Sequence, residues 1–352
     1  MKSGSVSTIN DTFSLEKWNS YYNELYLPNT VLLTIGLLIG TFGNATVIIV
    51  YQRGLKNKGH GRFFIPILAT IDLICVLLSA TYNIVQITRH VTFPGSLVCK
   101  LFIYSIRVIL GQSVMVMTAI AVTRLQQICQ ITKHQITKSH LRVFIVCAII
   151  FCALSNIPTL FVFGTVKIYK ENITGYKCME IDNDARALEN GIMTFTGVFH
   201  ALCLFIVFAS YISIAVHLFN IYHRRNKLNE ESTESGKGKD SMQSLPRQRR
   251  KTSLTYRLTF MFFTLQLSLL LAFIPPFIVI KQELDDPNFW DRKSDKYSKN
   301  VYLAMRMFYF MNAIVNPFLY GFFDTSFRRK LFELVFKRKI PELVSAVQQT
   351  TF

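Results

Sequence analysis

The stretch Asn312-Ala313-Ile314-Val315-Asn316-Pro317-Phe318-Leu319-Tyr320 places two amides and a proline inside an apolar run. The run belongs to a longer block, Val301 to Phe323, whose only charge is Arg306. About 20 predominantly apolar residues suffice for a helix to cross the hydrocarbon core of a bilayer. Polar side chains are costly there, so those that persist are functional candidates. Pro317 removes one helical hydrogen bond and kinks the helix. The freed carbonyl and Asn316 can then bond to water or to another span.

Six further blocks lie upstream. Asn29 to Gln52, Val143 to Val166, Asn190 to Tyr222 and Leu258 to Ile280 carry no charge. Phe63 to Thr88 carries only Asp72, and Leu101 to Thr123 only Arg107. A bilayer offers no water to backbone groups, so each block is expected to be helical throughout. The expected architecture is an all-α integral membrane protein. Residues 1–28 form an N-terminal tail, residues 29–323 a bundle of seven transmembrane helices, and residues 324–352 a helix and tail. The Asn190 block exceeds what a span requires, so its helix should protrude.

Composition agrees. The 352 residues are 51% hydrophobic and 17% charged, with a mean hydropathy of +0.31. Soluble domains carry about 25% charged residues. Segregated apolar blocks exclude a disordered chain and argue against a soluble enzyme. The net charge of +18 invites a nucleic-acid partner, but its distribution rejects one. One side of the expected topology carries 24 basic and seven acidic residues, the other 15 and 13. Basic residues mark the cytoplasmic side, which puts the N-terminus outside and the C-terminus in the cytosol. The expected location is the plasma membrane. Residues 1–28 lack the apolar centre of a cleavable signal, so the first span is expected to direct insertion. Sequons at Asn10 and Asn172 fall on the expected outside, while the one at Asn44 is buried in a span.

Cys99 and Cys178 both face the oxidising side, and a disulfide between them is expected to pin the second outer loop over the bundle. Cys75, Cys129, Cys147, Cys152 and Cys203 read as small packing residues. The polar loop over about 225–250 is expected to be disordered around Glu230–Ser244. Asp324 reads as an N-cap, followed by Phe327, Leu331, Leu334 and Val335 at helical spacing beside Arg328, Arg329 and Lys330. That pattern predicts an amphipathic helix lying on the inner membrane surface, with lipids as partners.

Asp72 is the foremost intramembrane candidate. Asn44, Ser113, Asn312 and Asn316 are expected near it at mid-membrane. Such oxygens suit a sodium ion or a water cluster, and equally a plain network gluing helices together. No cofactor is required. Pro275-Pro276 and Pro317 are candidate hinges.

In order and spacing, these pieces resemble the class A (rhodopsin-like) G-protein-coupled receptors over residues 29–337. The resemblance rests on Gly43-Asn44, Leu68-Ala69-Thr70-Ile71-Asp72-Leu73, Cys99 with Cys178, Asn312 to Tyr320, and Phe327-Arg328-Arg329. It implies a heterotrimeric G protein and arrestin as partners. It also implies an activation switch of Arg124, Tyr211, Phe273, Pro275, Pro317 and Tyr320. Thr123-Arg124-Leu125 stands where an Asp/Glu-Arg-Tyr is usual. The restraining acid is missing, helix six offers none near Thr255 or Thr259, and raised basal signalling is expected. Phe273 replaces a tryptophan and Cys203 a proline, and helix four has no tryptophan.

Ile106 stands where amine receptors carry an aspartate, and Phe310 where visual pigments carry a lysine. A biogenic amine and retinal are therefore not expected. Arg107 and Arg306 face the outer half and can pair with a ligand acid, or with loop acids instead. Gln86 and Gln112 are weaker pocket candidates. The charged outer rim suits a neuropeptide reaching Arg107 with an acidic or polar group. Inside, Arg249-Arg250-Lys251-Thr252-Ser253 could meet lipid, G protein or a kinase, and Thr350-Thr351-Phe352 has the form of a PDZ ligand. No internal repeat supports a transporter or channel, and a non-signalling decoy is the further alternative. No metal-binding or hydrolase motif appears.

Overall fold

The computed structural model describes residues 14–54, 62–129, 136–234, 245–286, 288–293 and 295–336, with the side chains of 225–256 left aside. Six described helices are long and apolar enough to span a membrane. They lie within α2 (Leu27–Gly54), α3 (Phe64–Thr88), α4 (Ser96–Cys129), α5 (Lys138–Ser155) with α6 (Thr159–Val162), α7 (Asn183–Glu234) and α8 (Leu245–Asp285). The seventh crossing is split into α9 (Lys296–Arg306) and α10 (Phe310–Phe323). Between them, Phe308 bonds back to Met305 and Phe310 to Met307, so the ladder tightens to three-residue steps and the chain stays coiled. The single continuous helix expected from Val301 is therefore corrected.

Close helix approach follows from the glycines of α2. A Cβ at Gly36 would come within 2.5 Å of the Phe310 ring, and one at Gly40 within 2.8 Å of Val76. Small residues let helices pack where the surrounding lipid offers no hydrophobic drive. The largest core cluster, around Leu68, Met117, Phe262 and Tyr320, joins α2, α3, α4, α8 and α10. The opposite faces are exposed and apolar, as at Phe42, Val198 and Phe205.

Three elements depart from the sequence expectation. The span expected to run to Val166 gives way after α5 and α6 to a hairpin of β1 (Phe163–Lys170) and β2 (Ile173–Glu180). The bundle itself is helical, and the hairpin lies in the connection between α6 and α7. Its turn residues Glu171 and Asn172 have φ of 47° and 65°, as a two-residue hairpin turn demands. The N-terminal tail contains α1 (Leu15–Leu25), capped by Ser14 and packed through buried Trp18. The loop expected to be disordered is helical to Glu234 and again from Leu245. Residues 235–244, Asn10 and Thr350–Phe352 lie outside the described residues.

The expected terminal helix is α11 (Thr325–Phe336). Asp324 Oδ1 accepts from the backbone N–H groups of Ser326 and Phe327. The same carboxylate accepts from Arg62 Nε and Nη2, each at 2.9 Å, and from the Tyr51 hydroxyl at 2.7 Å. One buried anion therefore joins α11 to α2 and to the start of α3.

Candidate functional site

The hairpin roofs one end of the bundle. Cys99 and Cys178 are disulfide-bonded, which ties β2 to α4. Phe93 donates to the Tyr176 carbonyl at 3.0 Å, and Tyr176 to the Val91 carbonyl at 2.8 Å, so the α3–α4 loop holds the hairpin from the other edge. Helix α1 clasps the same loop. Asn19 Nδ2 donates to the Thr88 carbonyl, and its Oδ1 accepts from the Val91 N–H. Tyr22 stacks on His90 at 3.9 Å. Burial and the charge of Lys177 hold His90 well below the usual imidazole range, against a bond to the Gln86 backbone.

Both guanidinium candidates beneath the roof are engaged. Arg107 pairs with Glu189, donates to Thr159 Oγ1 at 3.3 Å and lies over the Phe163 ring at 5.3 Å. Arg306 Nε donates to Glu283 Oε2 at 3.0 Å, and Trp290 Nε1 donates to Oε1 at 2.8 Å. The sequence left ligand acids and loop acids open as partners. In this structure both partners belong to the chain, on α7 and α8. Burial pulls the Lys177 ammonium below its usual range, Glu283 opposes the shift, and Arg306 adds to it. Gln86 is half-buried in α3. Gln112 is buried in α4, and neither amide atom has a partner among the described residues.

At mid-bundle, Asn316 Nδ2 donates to Asp72 Oδ2 at 2.7 Å. Two of the other three candidates make different bonds. Asn44 donates to the carbonyls of Gly40 and Ala313, each at 2.9 Å, and Asn312 Oδ1 accepts from Ser268 at 3.3 Å. Ser113 Oγ, Asn44 Oδ1 and Asn316 Oδ1 are buried without a partner among the described residues. Of these, Asn316 Oδ1 belongs to the amide that holds Asp72, and such oxygens are the donor type a hard cation takes.

Toward the end opposite the hairpin, Thr123 Oγ1 donates to the Ala119 carbonyl of its own helix at 2.7 Å. Arg124 is buried and lies over the Phe262 ring at 4.4 Å. Tyr211 packs edge-on to Phe263, and Tyr320 is fully buried. Phe273 meets His200 edge-on at 5.7 Å. Pro275 sits within α8, and Pro317 within α10, where it faces Gly43. Sequence reading missed Glu189, Glu283, Arg62, Gln266 and Trp18. Glu189 stands just ahead of the charge-free block that begins at Asn190 and reads as a loop acid. Trp18, Tyr22 and Leu25 did carry a helical spacing.

A seven-crossing bundle with a disulfide-tied hairpin and a terminal surface helix defines a class of membrane receptor. Residues 43–320 match the family described as 7 transmembrane receptor (rhodopsin family). The chain belongs to that family: it is a class A G-protein-coupled receptor, a multi-pass membrane protein and not an enzyme. Its fold is similar to squid rhodopsin, with a TM-score of 0.68, 17% identity, and coverage of 91% of this chain and 86% of that one. The type-1 angiotensin II receptor of Bos taurus is 28% identical over 156 residues, 44% of this chain and 43% of the relative. Cysteinyl leukotriene receptor 1 of Sus scrofa is 27% identical over 176 residues, 50% of this chain and 49% of the relative. The chain thus spans about half or less of these curated relatives. The type-1 angiotensin II receptor A of Xenopus laevis aligns at 19% identity over 318 residues, 89% of this chain and 81% of the relative.

Proposed function

We propose that this receptor resides in the plasma membrane with its hairpin end outside, binds a neuropeptide there, and activates a heterotrimeric G protein from the end that carries Arg124. The observation that carries this reading is the pair of ion pairs, Arg107 with Glu189 and Arg306 with Glu283, set beneath a disulfide-tied hairpin. Charged groups in a membrane bundle mark ligand and ion sites by default. The relatives' names carry two chemistries, angiotensin II and cysteinyl leukotriene. The charges of Lys177, Glu180 and Asp291, set near the Arg306–Glu283 pair, favour a peptide over a lipid. The basic side of the topology faces the cytosol.

The reading extends to a sodium ion beside Asp72, to glycosylation at Asn10 and Asn172, and to arrestin, lipids and a PDZ-domain protein at the cytosolic side. Asn172 suits a glycan because it occupies the exposed hairpin turn. The decisive experiment is nucleotide exchange on each purified G-protein class, with the receptor in lipid nanodiscs and a peptide library as probe. Peptide-dependent exchange without ion flux supports the reading. Ion flux would indicate a channel, and silence with every class despite good surface expression a decoy. Potency unchanged in Arg107→Ala would remove the Arg107 site.

A further inference from the structure

Glu189 is 1% exposed on α7. Its Oε1 receives Arg107, but its Oε2 meets no donor among the described residues. Buried carboxylates ordinarily fill their lone pairs. Two other ion-paired acids do so. Glu283 uses both oxygens, one for Arg306 and one for Trp290, and Asp324 uses both for Arg62. Glu189 alone among these three is half-filled. Its partner Arg107 keeps 20% of its side chain exposed, so the pair is not sealed. Arg107 also lies over the ring of Phe163, which belongs to an apolar cluster with Tyr82, Ile106 and Val162.

We infer that Glu189 Oε2 is the acceptor of a ligand subsite at the hairpin end, and that it takes a neutral N–H or O–H donor such as a carboxamide, an indole or a phenol. The two formal charges already cancel. An incoming acid would compete with Glu189 for Arg107 and set a second anion beside it. An incoming cation would meet Arg107. Partly buried charges are screened weakly, so either mismatch is felt strongly. A neutral donor adds one hydrogen bond and leaves the pair intact. It also satisfies an acceptor that is otherwise desolvated for nothing. The inference rests on the ligand-binding reading above and deepens it. The ligand group that reaches Arg107's surroundings is polar and uncharged, and it is read by Glu189.

The test is infrared difference spectroscopy on the full-length receptor in nanodiscs, titrated separately with N-methylacetamide, acetate and methylammonium. The carboxylate stretch of Glu189 is identified by subtraction against Glu189→Gln. The double variant Arg107→Gln, Glu189→Gln, which leaves no unpaired buried charge, serves if the single variant does not fold. N-methylacetamide is expected to shift that band at a half-saturating concentration about tenfold or more below that of either charged probe. A shift by acetate or methylammonium at equal or lower concentration overturns the inference. So does a band that none of the three moves. The measurement uses no G protein. A band shift without nucleotide exchange keeps the subsite and sinks the signalling reading, and exchange without a band shift does the reverse.

Discussion

Gln266 of α8 donates its side-chain N–H to the backbone carbonyl of Met117 on α4, at 2.7 Å and fully buried. This is a neutral cross-link between the two helices whose charge restraint the sequence lacks. The Thr123 hydroxyl does not bridge that gap, since it donates back to the Ala119 carbonyl within α4. Replacing Gln266 by Leu should release about 1 kcal/mol of net hydrogen bonding, about fivefold in a two-state population. Ligand-free nucleotide exchange should rise by about that factor, and the α4–α8 separation read by paired spin labels should broaden. Thr123→Asp should lower exchange in the same assay.

The Arg62–Asp324 pair is buried on both sides, with side chains 8% and 0% exposed. Removing one partner strands the other charge and costs about 3–5 kcal/mol. Arg62→Gln should therefore lower the Tm of the purified receptor sharply. Adding Asp324→Asn should recover part of the loss, because no lone charge then remains. Recovery that fails to appear would show that Asp324 acts chiefly as the cap of α11.

The Cys99–Cys178 bond closes a separation of 79 residues. Loop-closure entropy for that length amounts to about 4–5 kcal/mol. Cys178→Ser should depress surface expression and Tm, with Cys99→Ser, Cys178→Ser no worse than either single variant. An additive double variant would contradict a shared bond.

His90 supplies a pH dependence. Burial, then Lys177, holds its pKa below the unfolded value of about 6.5. A depressed imidazole contributes stability above the unfolded pKa and loses it as pH falls toward the folded one. The docking of α1 should therefore weaken below about pH 6.5. Hydrogen exchange of the Trp18–Leu25 amides should accelerate there in the native receptor. In His90→Gln that acceleration should flatten.

The bundle was legible in the sequence because hydrocarbon imposes one rule on every backbone group, and seven charge-poor blocks obey it. Asp324 was legible as a cap because capping is local, needing only the next three residues. Its partner Arg62 lies 262 positions away, and no local pattern names it. The same holds for Glu189, 82 positions from Arg107. The apolar run Thr159 to Val166 was read as the end of a span. It instead turns at Phe163 into a strand, because short apolar stretches fit either state and the tertiary contacts with α4 decide. The loop beyond Arg224 was read as disordered from its polarity. A protruding helix can be polar all round once it leaves the membrane, so composition there does not forbid coiling.

Helix α1 bears on how the protein can be handled. Trp18 sits against Gly175 of the hairpin, where an added Cβ would lie 3.2 Å from its ring. Anything fused ahead of Leu15 is thereby delivered to the rim of the roofed end. Fluorescent proteins, epitope tags or immobilisation handles attached there would crowd the entrance they were meant to observe. Reporters for this receptor are better carried behind Phe336.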